Sequence, residues 1–332
     1  MAAKPKNHED HLTEVHRETK VINGEDFSVR YFKNIKTGEV ISRTEPLRSA
    51  TDHWLIVGNA ANILPDIPSD SIDLIVTSPP YYGSKFFANL FPTLDIWENL
   101  IRTVARESMR ILQDGHIIGI VVGDVIHKGE KLPLVSMVTT IFVKEFRFRF
   151  RENIIWRKPN KVVQSQHRNH GWQQTPYPIR LFMNTVHESI LIFQKGNFDI
   201  NTIDPKTLER SRLDAWEVRG QFFHLDLWEI DNGARKPENE RKIACFPEEI
   251  AYRLIKLYSF ESGTVLDPFA GSGTTMKMAR KLYRHSIGIE IRRDFIPVIK
   301  AKTGFNNGNC TFGCPEDTFN VVYRGQRKRP RK

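Results

Sequence analysis

Short apolar runs bounded by turn-forming residues alternate with segments of helical periodicity through most of the chain. Each apolar run predicts a buried strand. The runs are HWLIVGN, SIDLIVTSPP, HIIGIVVGD, FRENIIWRKP, ESILIFQKG, GTVLDPF and HSIGIEI. Helical spacing predicts helices in AANILPDIP, DIWENLIRTVARESMRIL, LPLVSMVTTIFVKEF, FPEEIAYRLIKLYS and TTMKMARKLY. Strands that alternate with helices in this way predict an α/β fold, with a mainly parallel sheet and helices on both faces.

The same pattern divides the chain into five regions. The first is polar and contains a hairpin pattern, FSVRYFKNIKTGEVIS, with its turn at Lys36-Thr37-Gly38. The region 158–240 has weak periodicity. The region 304–332 ends in the basic run RGQRKRPRK, which predicts disorder. The predicted regions are 1–50, an N-terminal extension; 51–157, the first part of the α/β domain; 158–240, a variable region with a core strand near 187–195; 241–303, the second part of the α/β domain; and 304–332, a basic C-terminal tail.

Composition and charge restrict the function classes. The formal net charge is +10 over 332 residues, which favours a polyanionic partner and most simply nucleic acid. No apolar run has the length of a membrane span, and the polar N-terminus does not resemble a signal peptide. The three cysteines, Cys245, Cys310 and Cys314, argue against a disulfide scaffold and against a zinc site. We therefore expect a cytoplasmic protein without a bound metal.

The segment VLDPFAGSGTT, residues 265–275, predicts a strand, a glycine turn and a helix start. Gly271 and Gly273 permit a ligand to approach the backbone closely, and the helix start offers free N–H groups. Glu290 ends the next predicted strand, nineteen positions after Gly271, where a carboxylate can accept hydrogen bonds from both hydroxyls of a ribose. The pattern therefore predicts a ribose-bearing ligand, and the alternative is a loop that only packs tightly.

Neighbouring residues distinguish among the nucleotide-like ligands. A dinucleotide site requires a third glycine, but Met276 occupies that position. A P-loop requires a lysine after its last glycine, and no lysine follows Gly273 in that way. What remains is a ligand with a ribose and little phosphate, and S-adenosylmethionine fits. Asp267 can accept a hydrogen bond from its ammonium group, and the N–H groups of the turn can bind its carboxylate.

A second motif, Ser78-Pro79-Pro80-Tyr81, directly follows a predicted buried strand. Alone it is equally typical of a tight turn. Together with Phe-x-Gly-x-Gly at 269–273 it resembles the DNA amino-methyltransferases, whose catalytic motif is Asp/Asn/Ser-Pro-Pro-Tyr/Phe. Because the tetrapeptide precedes the glycine motif, the chain is most similar to the circularly permuted β class, and within it to the cytosine-N4 enzymes of restriction-modification systems.

The resemblance implies a circularly permuted, Rossmann-like fold that depends on S-adenosylmethionine. It makes 51–157 the catalytic part, 241–303 the cofactor-binding part and 158–240 the region with the target-recognition elements. The strands before the glycine turn and at HSIGIEI become the first two of the cofactor half, and HWLIVGN becomes the third. The residues that the resemblance assigns to the cofactor are Asp267, Phe269, Gly271, Ser272, Gly273, Thr274, Glu290, Asn59 (where the family often has Asp) and Pro247, in a segment similar to the one that closes over the methionine part.

The resemblance also implies a mechanism. The amino group of a base is a poor nucleophile because its lone pair is delocalised into the ring. The Ser78 side chain and the Pro79 carbonyl would accept hydrogen bonds from the amino protons and favour the pyramidal nitrogen, with the proline pair fixing both acceptors. Tyr81 would stack on a base that has left the duplex. Serine at the first position is associated in the family with cytosine N4, and adenine N6 is the alternative.

Duplex DNA with a specific short site is therefore the expected partner of a monomer or weak dimer, paired functionally with a cognate restriction endonuclease. An RNA amino-methyltransferase and an inactive DNA-binding regulator stay open as alternatives. Glu188 resembles part of a family segment whose role is mainly structural. The residues of the variable region that we expect to contact DNA are Lys158, Lys161, Gln164, Arg168, Asn169, Trp172 and Gln174.

Overall fold

The computed structural model describes residues 12–22, 25–34, 37–46, 48–83, 89–158, 183, 185–231, 243, 245–305 and 312–324. Its strands are β1 (Leu12–Ile22), β2 (Glu25–Asn34), β3 (Val40–Pro46), β4 (Asp52–Val57), β5 (Ile72–Thr77), β6 (Leu112–Val122), β7 (Val125–His127), β8 (Glu130–Leu132), β9 (Arg149–Arg157), β10 (His187–Gln194), β11 (Leu227–Glu229), β12 (Thr264–Asp267), β13 (His285–Glu290) and β14 (Thr318–Tyr323). Its α-helices are α1 (Ala60–Ile63), α2 (Leu94–Ile111), α3 (Leu134–Thr140), α4 (Pro205–Arg210), α5 (Ala215–Gly220), α6 (Glu248–Tyr258), α7 (Thr274–Lys281) and α8 (Ile296–Lys302).

One sheet contains nine strands in the order β11-β9-β10-β6-β5-β12-β13-β4-β14. Every neighbouring pair from β6 to β14 is parallel, whereas β10 is antiparallel to both β6 and β9. The prediction of a mainly parallel sheet is therefore confirmed. The order β12-β13-β4 also confirms HWLIVGN as the third strand of the cofactor half.

Helices cover both faces of this sheet. Successive residues of β5 point to opposite faces, so Ile75 packs in one apolar cluster and Leu74 and Val76 in another. The first cluster contains side chains of α1, α2 and α3, including Ile101, and the second contains side chains of α6 and α7, including Leu254. Burial on both faces explains why the central strands are almost continuously apolar in sequence.

The N-terminal region forms a separate sheet of three antiparallel strands, β1-β2-β3. β2 and β3 pair from Phe27 opposite Pro46 to Lys33 opposite Val40, which confirms the predicted hairpin. β1 pairs along the other edge of β2 and was not predicted. Its sequence, LTEVHRETKVI, is too polar for a clear strand pattern, and pairing with β2 determines its conformation.

The prediction for residues 304–332 needs correction. Part of the segment predicted to be a basic tail is β14, which pairs in parallel with β4 at the edge of the main sheet. Asp317, which precedes β14, accepts hydrogen bonds from Arg280 Nε at 2.9 Å and from the Thr51 N–H at 2.7 Å. This buried ion pair fixes the segment, and composition alone does not reveal it. Residues 325–332, with most of the basic run, lie outside the described residues.

The variable region contains more structure than its weak periodicity predicted. β10 confirms the strand expected near 187–195, and β11 adds a parallel edge strand beside β9. The helices α4 and α5 are short, and each begins after an aspartate, Asp204 and Asp214, whose side chain accepts hydrogen bonds from two backbone N–H groups. Within the described residues, no helix is long and apolar enough to cross a membrane.

Candidate functional site

Four neighbouring parallel strands, β5, β12, β13 and β4, end at one edge of the main sheet. The loops beyond these ends surround a cavity of about 860 Å³. Ligands of open α/β sheets bind outside the carboxyl ends of the strands, and cavities of this size hold cofactors and other small molecules. The cavity is therefore the candidate site.

Many of the residues predicted from the sequence line this cavity. They are Asn59, Ser78, Pro79, Pro80, Tyr81, Lys158, Phe269, Gly271 and Glu290. The predicted residues that are not part of the lining are Asp267, Ser272, Gly273, Thr274 and Pro247. The predicted DNA contacts Lys161, Gln164, Arg168, Asn169, Trp172 and Gln174 lie outside the described residues.

Glu290, at the end of β13, has the geometry expected of a carboxylate that binds hydroxyl groups. Its Oε2 accepts from the Gly271 N–H at 2.8 Å, and its Oε1 accepts from the Arg292 N–H at 2.9 Å. These bonds hold the side chain toward the cavity, and each oxygen can accept a further hydrogen bond. Burial raises the pKa of Glu290 to about 7.

Asp267, at the end of β12, is turned away from the cavity. Its Oδ1 accepts from Thr77 Oγ1 at 2.7 Å and from the Phe269 N–H at 3.0 Å, and its Oδ2 accepts from Thr275 Oγ1 at 2.7 Å. Burial raises the pKa of this carboxyl group to about 6. The expected contact of Asp267 with a ligand ammonium group has no support in this arrangement, because the side chain instead connects β5, the glycine turn and α7.

The two glycines of the turn have different surroundings. Gly273 has φ +83°, and a β carbon there would lie 2.9 Å from the side chain of Ile299 in α8, so packing requires a glycine. Ser272 and Thr274 are buried beside it and face the protein interior. Gly271 lines the cavity and can bring its backbone close to a ligand.

The tetrapeptide 78–81 is held by a tryptophan that the sequence did not single out. Trp97 of α2 is fully buried, and its Nε1 donates to the Pro80 carbonyl at 2.8 Å. The bond fixes the turn without using the neighbouring Pro79 carbonyl, which is the one expected to accept from an amino group. The apolar spacing of this helix does not reveal the hydrogen-bond partner of Trp97, which only the fold shows.

The Tyr81 hydroxyl donates to Glu188 Oε2 at 3.0 Å. The other oxygen of Glu188 accepts from Lys158 Nζ, and this ammonium group lies 5.0 Å from the centre of the Trp156 ring. All four side chains line the cavity. Glu188 thus has polar contacts in the site, beyond the mainly structural role that was predicted, because β10 pairs between β6 and β9 and brings it to the cavity wall.

Asn59 and Pro247 both lie at helix starts. The amide oxygen of Asn59 accepts from the Ala61 N–H at 3.0 Å and caps α1, which leaves its NH₂ group and a second lone pair for a ligand. Pro247 is the N-cap residue of α6, and its neighbours Cys245 and Phe246 line the cavity instead.

The lining residues fit S-adenosylmethionine. Glu290 offers carboxylate oxygens for a ribose, and Gly271 lets the ligand approach the backbone beside it. Phe269, Ile291 and Phe295 add apolar surface for an adenine ring. The tetrapeptide lies on the wall of the same cavity, so a group bound there would face Ser78 and Tyr81.

Comparisons with known proteins agree with this geometry. A family model described as DNA methylase, of the N6 and N4 methyltransferase type, matches residues 72–301, which include the tetrapeptide, the glycine turn and both carboxylates. The chain is 33% identical over 282 residues to the Type II methyltransferase M.MthZI of Methanothermobacter thermautotrophicus, with 76% of each chain covered. It is also 33% identical over 288 residues to the Type II methyltransferase M.MjaI of Methanocaldococcus jannaschii, covering 76% of this chain and 92% of that one.

A solved structure also resembles this fold. The crystal structure of TTHA0409 from Thermus thermophilus, complexed with S-adenosyl-L-methionine, has a TM-score of 0.60 and 26% sequence identity to this chain. The match covers 81% of this chain and 99% of that chain. The likeness therefore extends over the whole length of the solved protein.

Proposed function

Because this chain belongs to the DNA amino-methyltransferase family, we propose that it methylates the exocyclic N4 amino group of a flipped-out cytosine at a specific short site in duplex DNA. The observation that carries the proposal is the shared cavity. Its lining includes Ser78, Pro79 and Tyr81, which follow β5, and also Gly271 after β12 and Glu290 at the end of β13. A base and a ribose-bearing cofactor can therefore meet within it.

S-adenosylmethionine, when bound, supplies a methyl group on a positively charged sulfur, which keeps the electron pair of the broken carbon–sulfur bond. Glu290 and Gly271 would hold the cofactor. The Ser78 hydroxyl and the Pro79 carbonyl would accept the two amino protons, which raises the electron density on the nitrogen and favours its pyramidal form. The Trp97 bond to Pro80 keeps these acceptors in place. Such a site works mainly by positioning.

Cytosine N4 is proposed over adenine N6 because the motif begins with serine at position 78. The support is an association within the family. Acceptor chemistry alone does not distinguish the two bases, because hydroxyl, amide and carboxylate oxygens can each accept a hydrogen bond from an amino proton. Adenine N6 is therefore the second candidate. The relatives named Type II methyltransferases support a further proposal, that a restriction endonuclease recognises the same DNA site.

Product identity tests the proposal. The protein is incubated with unmethylated DNA and isotopically labelled S-adenosylmethionine, and the DNA is digested to nucleosides and resolved by mass spectrometry. Labelled N4-methylcytosine is the expected product, and N6-methyladenine would replace the proposed base while leaving the enzyme class intact. A parallel reaction with RNA is the control. Methylation of RNA in place of DNA would overturn the proposed substrate.

A further inference from the structure

The hairpin of β7 and β8 lies at the same edge of the main sheet as the candidate site. It follows β6 directly, and Val125 and Ile126 of its first strand line the cavity. Residues 128–129 connect the two strands and form its tip. Because a strand rises about 3.3 Å per residue, the tip lies about 7 Å beyond Ile126.

The hairpin is packed against the chain that leaves the tetrapeptide 78–81. The ring of His127 lies 5.0 Å from the ring of Tyr82, measured between their centres. A β carbon added at Gly83 would lie 2.8 Å from His127 Nδ1, so the two segments are in close contact. At the base of the hairpin, Asp124 accepts a hydrogen bond from a backbone N–H of α3 at 3.2 Å. The hairpin is therefore held beside the turn that would receive the base.

The two faces of the hairpin have different surroundings. In an antiparallel pair, residues opposite each other share a face, and successive residues alternate between faces. Val125 is opposite Leu132, and both pack against the apolar core. Ile126 is opposite Lys131. A cation thus shares a face with a side chain that lines the cavity.

The hairpin carries two exposed lysines, Lys128 at the tip and Lys131 in β8. In the described part of the chain, neither ammonium group has a carboxylate partner. By contrast, the cavity-lining cations Lys158 and Arg292 pair with carboxylates of the same chain. The two hairpin lysines can therefore bind an anionic group from another molecule.

The backbone at the tip disfavours a lysine. Lys128 has φ +50° and Gly129 has φ +82°, as in the two-residue type I′ turn. The first position of this turn favours Asn, Asp or Gly, and a long side chain is strained there. Turn formation alone does not account for Lys128, whereas an anionic ligand at the tip does.

We propose that the β7–β8 hairpin binds the sugar–phosphate backbone of the DNA, with Lys128 and Lys131 each contacting a phosphate near the flipped nucleotide. This proposal rests on the proposed function, because a base in the cavity brings its own strand to the cavity mouth. Phosphates follow one another at about 3.4 Å of helix axis along one strand, so a tip about 7 Å from the cavity wall can reach those beside the target. Such contacts position the DNA without reading its sequence.

The test measures DNA binding by fluorescence anisotropy over a range of NaCl concentrations, with the full chain and labelled duplexes. One duplex is a DNA that wild type methylates, and the other is an unrelated duplex of equal length. The variants are Lys128→Asn, which fits the turn, and Lys131→Gln, singly and together. The affinity for S-adenosylhomocysteine and the melting temperature are measured for each variant as checks on folding.

The matched control is the double variant Lys144→Gln/Lys206→Gln, which removes the same charge from the opposite edge of the sheet. Lys144 is exposed and precedes β9, which runs parallel to β6 because both are antiparallel to β10. Lys206 is exposed in α4. Directly after α4, the Ser211 hydroxyl accepts from the Glu261 N–H, which lies shortly before the start of β12.

Each hairpin variant should weaken binding about fivefold to tenfold near 0.1 M salt, by the same factor on both duplexes. Each should also reduce the slope of log K against log salt by about 0.9, and the double hairpin variant by about 1.8. The double control should keep the slope of wild type. Lys128→Asn should melt at or above the temperature of wild type, because asparagine fits the turn better.

Glu130→Gln should act in the opposite direction. Glu130 is exposed in β8, between the two lysines in sequence, and its carboxylate repels a phosphate. Its removal should tighten binding about twofold and leave the affinity for S-adenosylhomocysteine unchanged. A gain of affinity of this kind cannot result from damage to the fold.

The outcomes separate the hairpin from the enzyme class. If the hairpin variants keep the slope of wild type, or change it no more than the double control does, the hairpin does not contact phosphates. Weaker binding to the methylated duplex alone would show that the hairpin reads bases, which also contradicts the proposal. Absence of binding by wild type to either duplex would overturn both the hairpin contact and the proposed function.

Discussion

The Thr77 hydroxyl donates to Asp267 Oδ1 over 2.7 Å, and this bond connects the strand before the tetrapeptide to the strand before the glycine turn. Thr275 of α7 binds the other carboxylate oxygen at the same distance. Asp267 thereby holds the strand that leads to the tetrapeptide 78–81 against the strand that leads to the glycine turn. Its buried carboxyl group depends on these donors, because a buried charge without hydrogen bonds is costly.

We expect Thr77→Val to destabilise the protein by about 1–3 kcal/mol, because it removes a donor from a buried carboxylate while keeping the side-chain shape. The free energy of unfolding, measured in urea, checks this value. Thr202→Val is the control, since Thr202 is exposed and bonds only locally to the Asp199 carbonyl, and it should change stability by less than about 0.5 kcal/mol. Equal stability of the two variants would contradict the role given to Asp267.

Cofactor affinity should increase with pH up to about 7. The pKa of Glu290 is raised from 4.5 to about 7 in the folded protein, so without cofactor the folded state binds more protons than the unfolded state in that interval. The contribution of Glu290 to the free energy of unfolding therefore falls as pH rises from 4.5 to about 7. Ribose hydroxyls donate best to the ionised carboxylate, so binding should improve over the same interval.

Calorimetry with S-adenosylhomocysteine, between about pH 5.5 and 8.5, measures this effect. The Kd should rise by up to about tenfold for each pH unit below the pKa. Glu290→Gln should bind more weakly at pH 8 and should lack this dependence, because its amide does not titrate. A Kd of wild type that stays constant across the range would exclude Glu290 from cofactor binding.

Ser78→Ala and Gly271→Val should affect different steps. Ser78→Ala should lower the single-turnover rate about a hundredfold with cofactor affinity near that of wild type, because an acceptor for the amino proton is lost. Gly271→Val should abolish cofactor binding, because valine fills the space beside Glu290 and rarely adopts the φ of +54° found there. The Kd for cofactor and the melting temperature are measured for both variants. An equal loss of cofactor binding in the two would refute the assignment of Ser78 to methyl transfer and of Gly271 to cofactor binding.

Trp97→Phe should lower stability by about 1 kcal/mol and reduce the methyl-transfer rate severalfold, because the Pro80 carbonyl loses its donor while the aromatic packing is kept. Trp228→Phe is a matched control. Trp228 is as deeply buried, but its Nε1 has no hydrogen-bond partner in the described part of the chain. The urea midpoint and the single-turnover rate are measured for both. A larger loss in Trp228→Phe would contradict the role of Trp97 in fixing the turn.

The core of the fold was predictable because burial on both faces gives nearly continuous apolar strands, and periodicity distinguishes these from the helices. β1 and β14 were not predictable in this way. Both are edge strands. β1 has many polar residues, and β14 lies in a segment whose overall composition is that of a basic tail, although its own sequence is TFNVVY. Their positions depend on partners far away in sequence, such as Arg280 for the segment before β14.

The candidate site was predictable where a motif has its own local geometry, as in 78–81 and at Gly271. It was not predictable where the position in the strand leaves the orientation of the side chain undetermined. Asp267 and Glu290 both end parallel strands, yet one faces Thr77 and Thr275 while the other faces the cavity. The polar contacts of Glu188 in the site were not predicted, because its strand reaches the site through antiparallel pairing, which no local pattern encodes.

The distance of 190 positions along the chain between Thr77 and Asp267 has a consequence during protein synthesis. β5 leaves the ribosome early, but β12, its neighbour in the sheet, is made only after most of the chain has emerged. Until then one long edge of β5 has no partner strand, which is a hazard for misfolding and a target for chaperones. A nascent chain that stops before residue 264 therefore holds the tetrapeptide without its cofactor site, so premature termination yields a fragment without methylating activity.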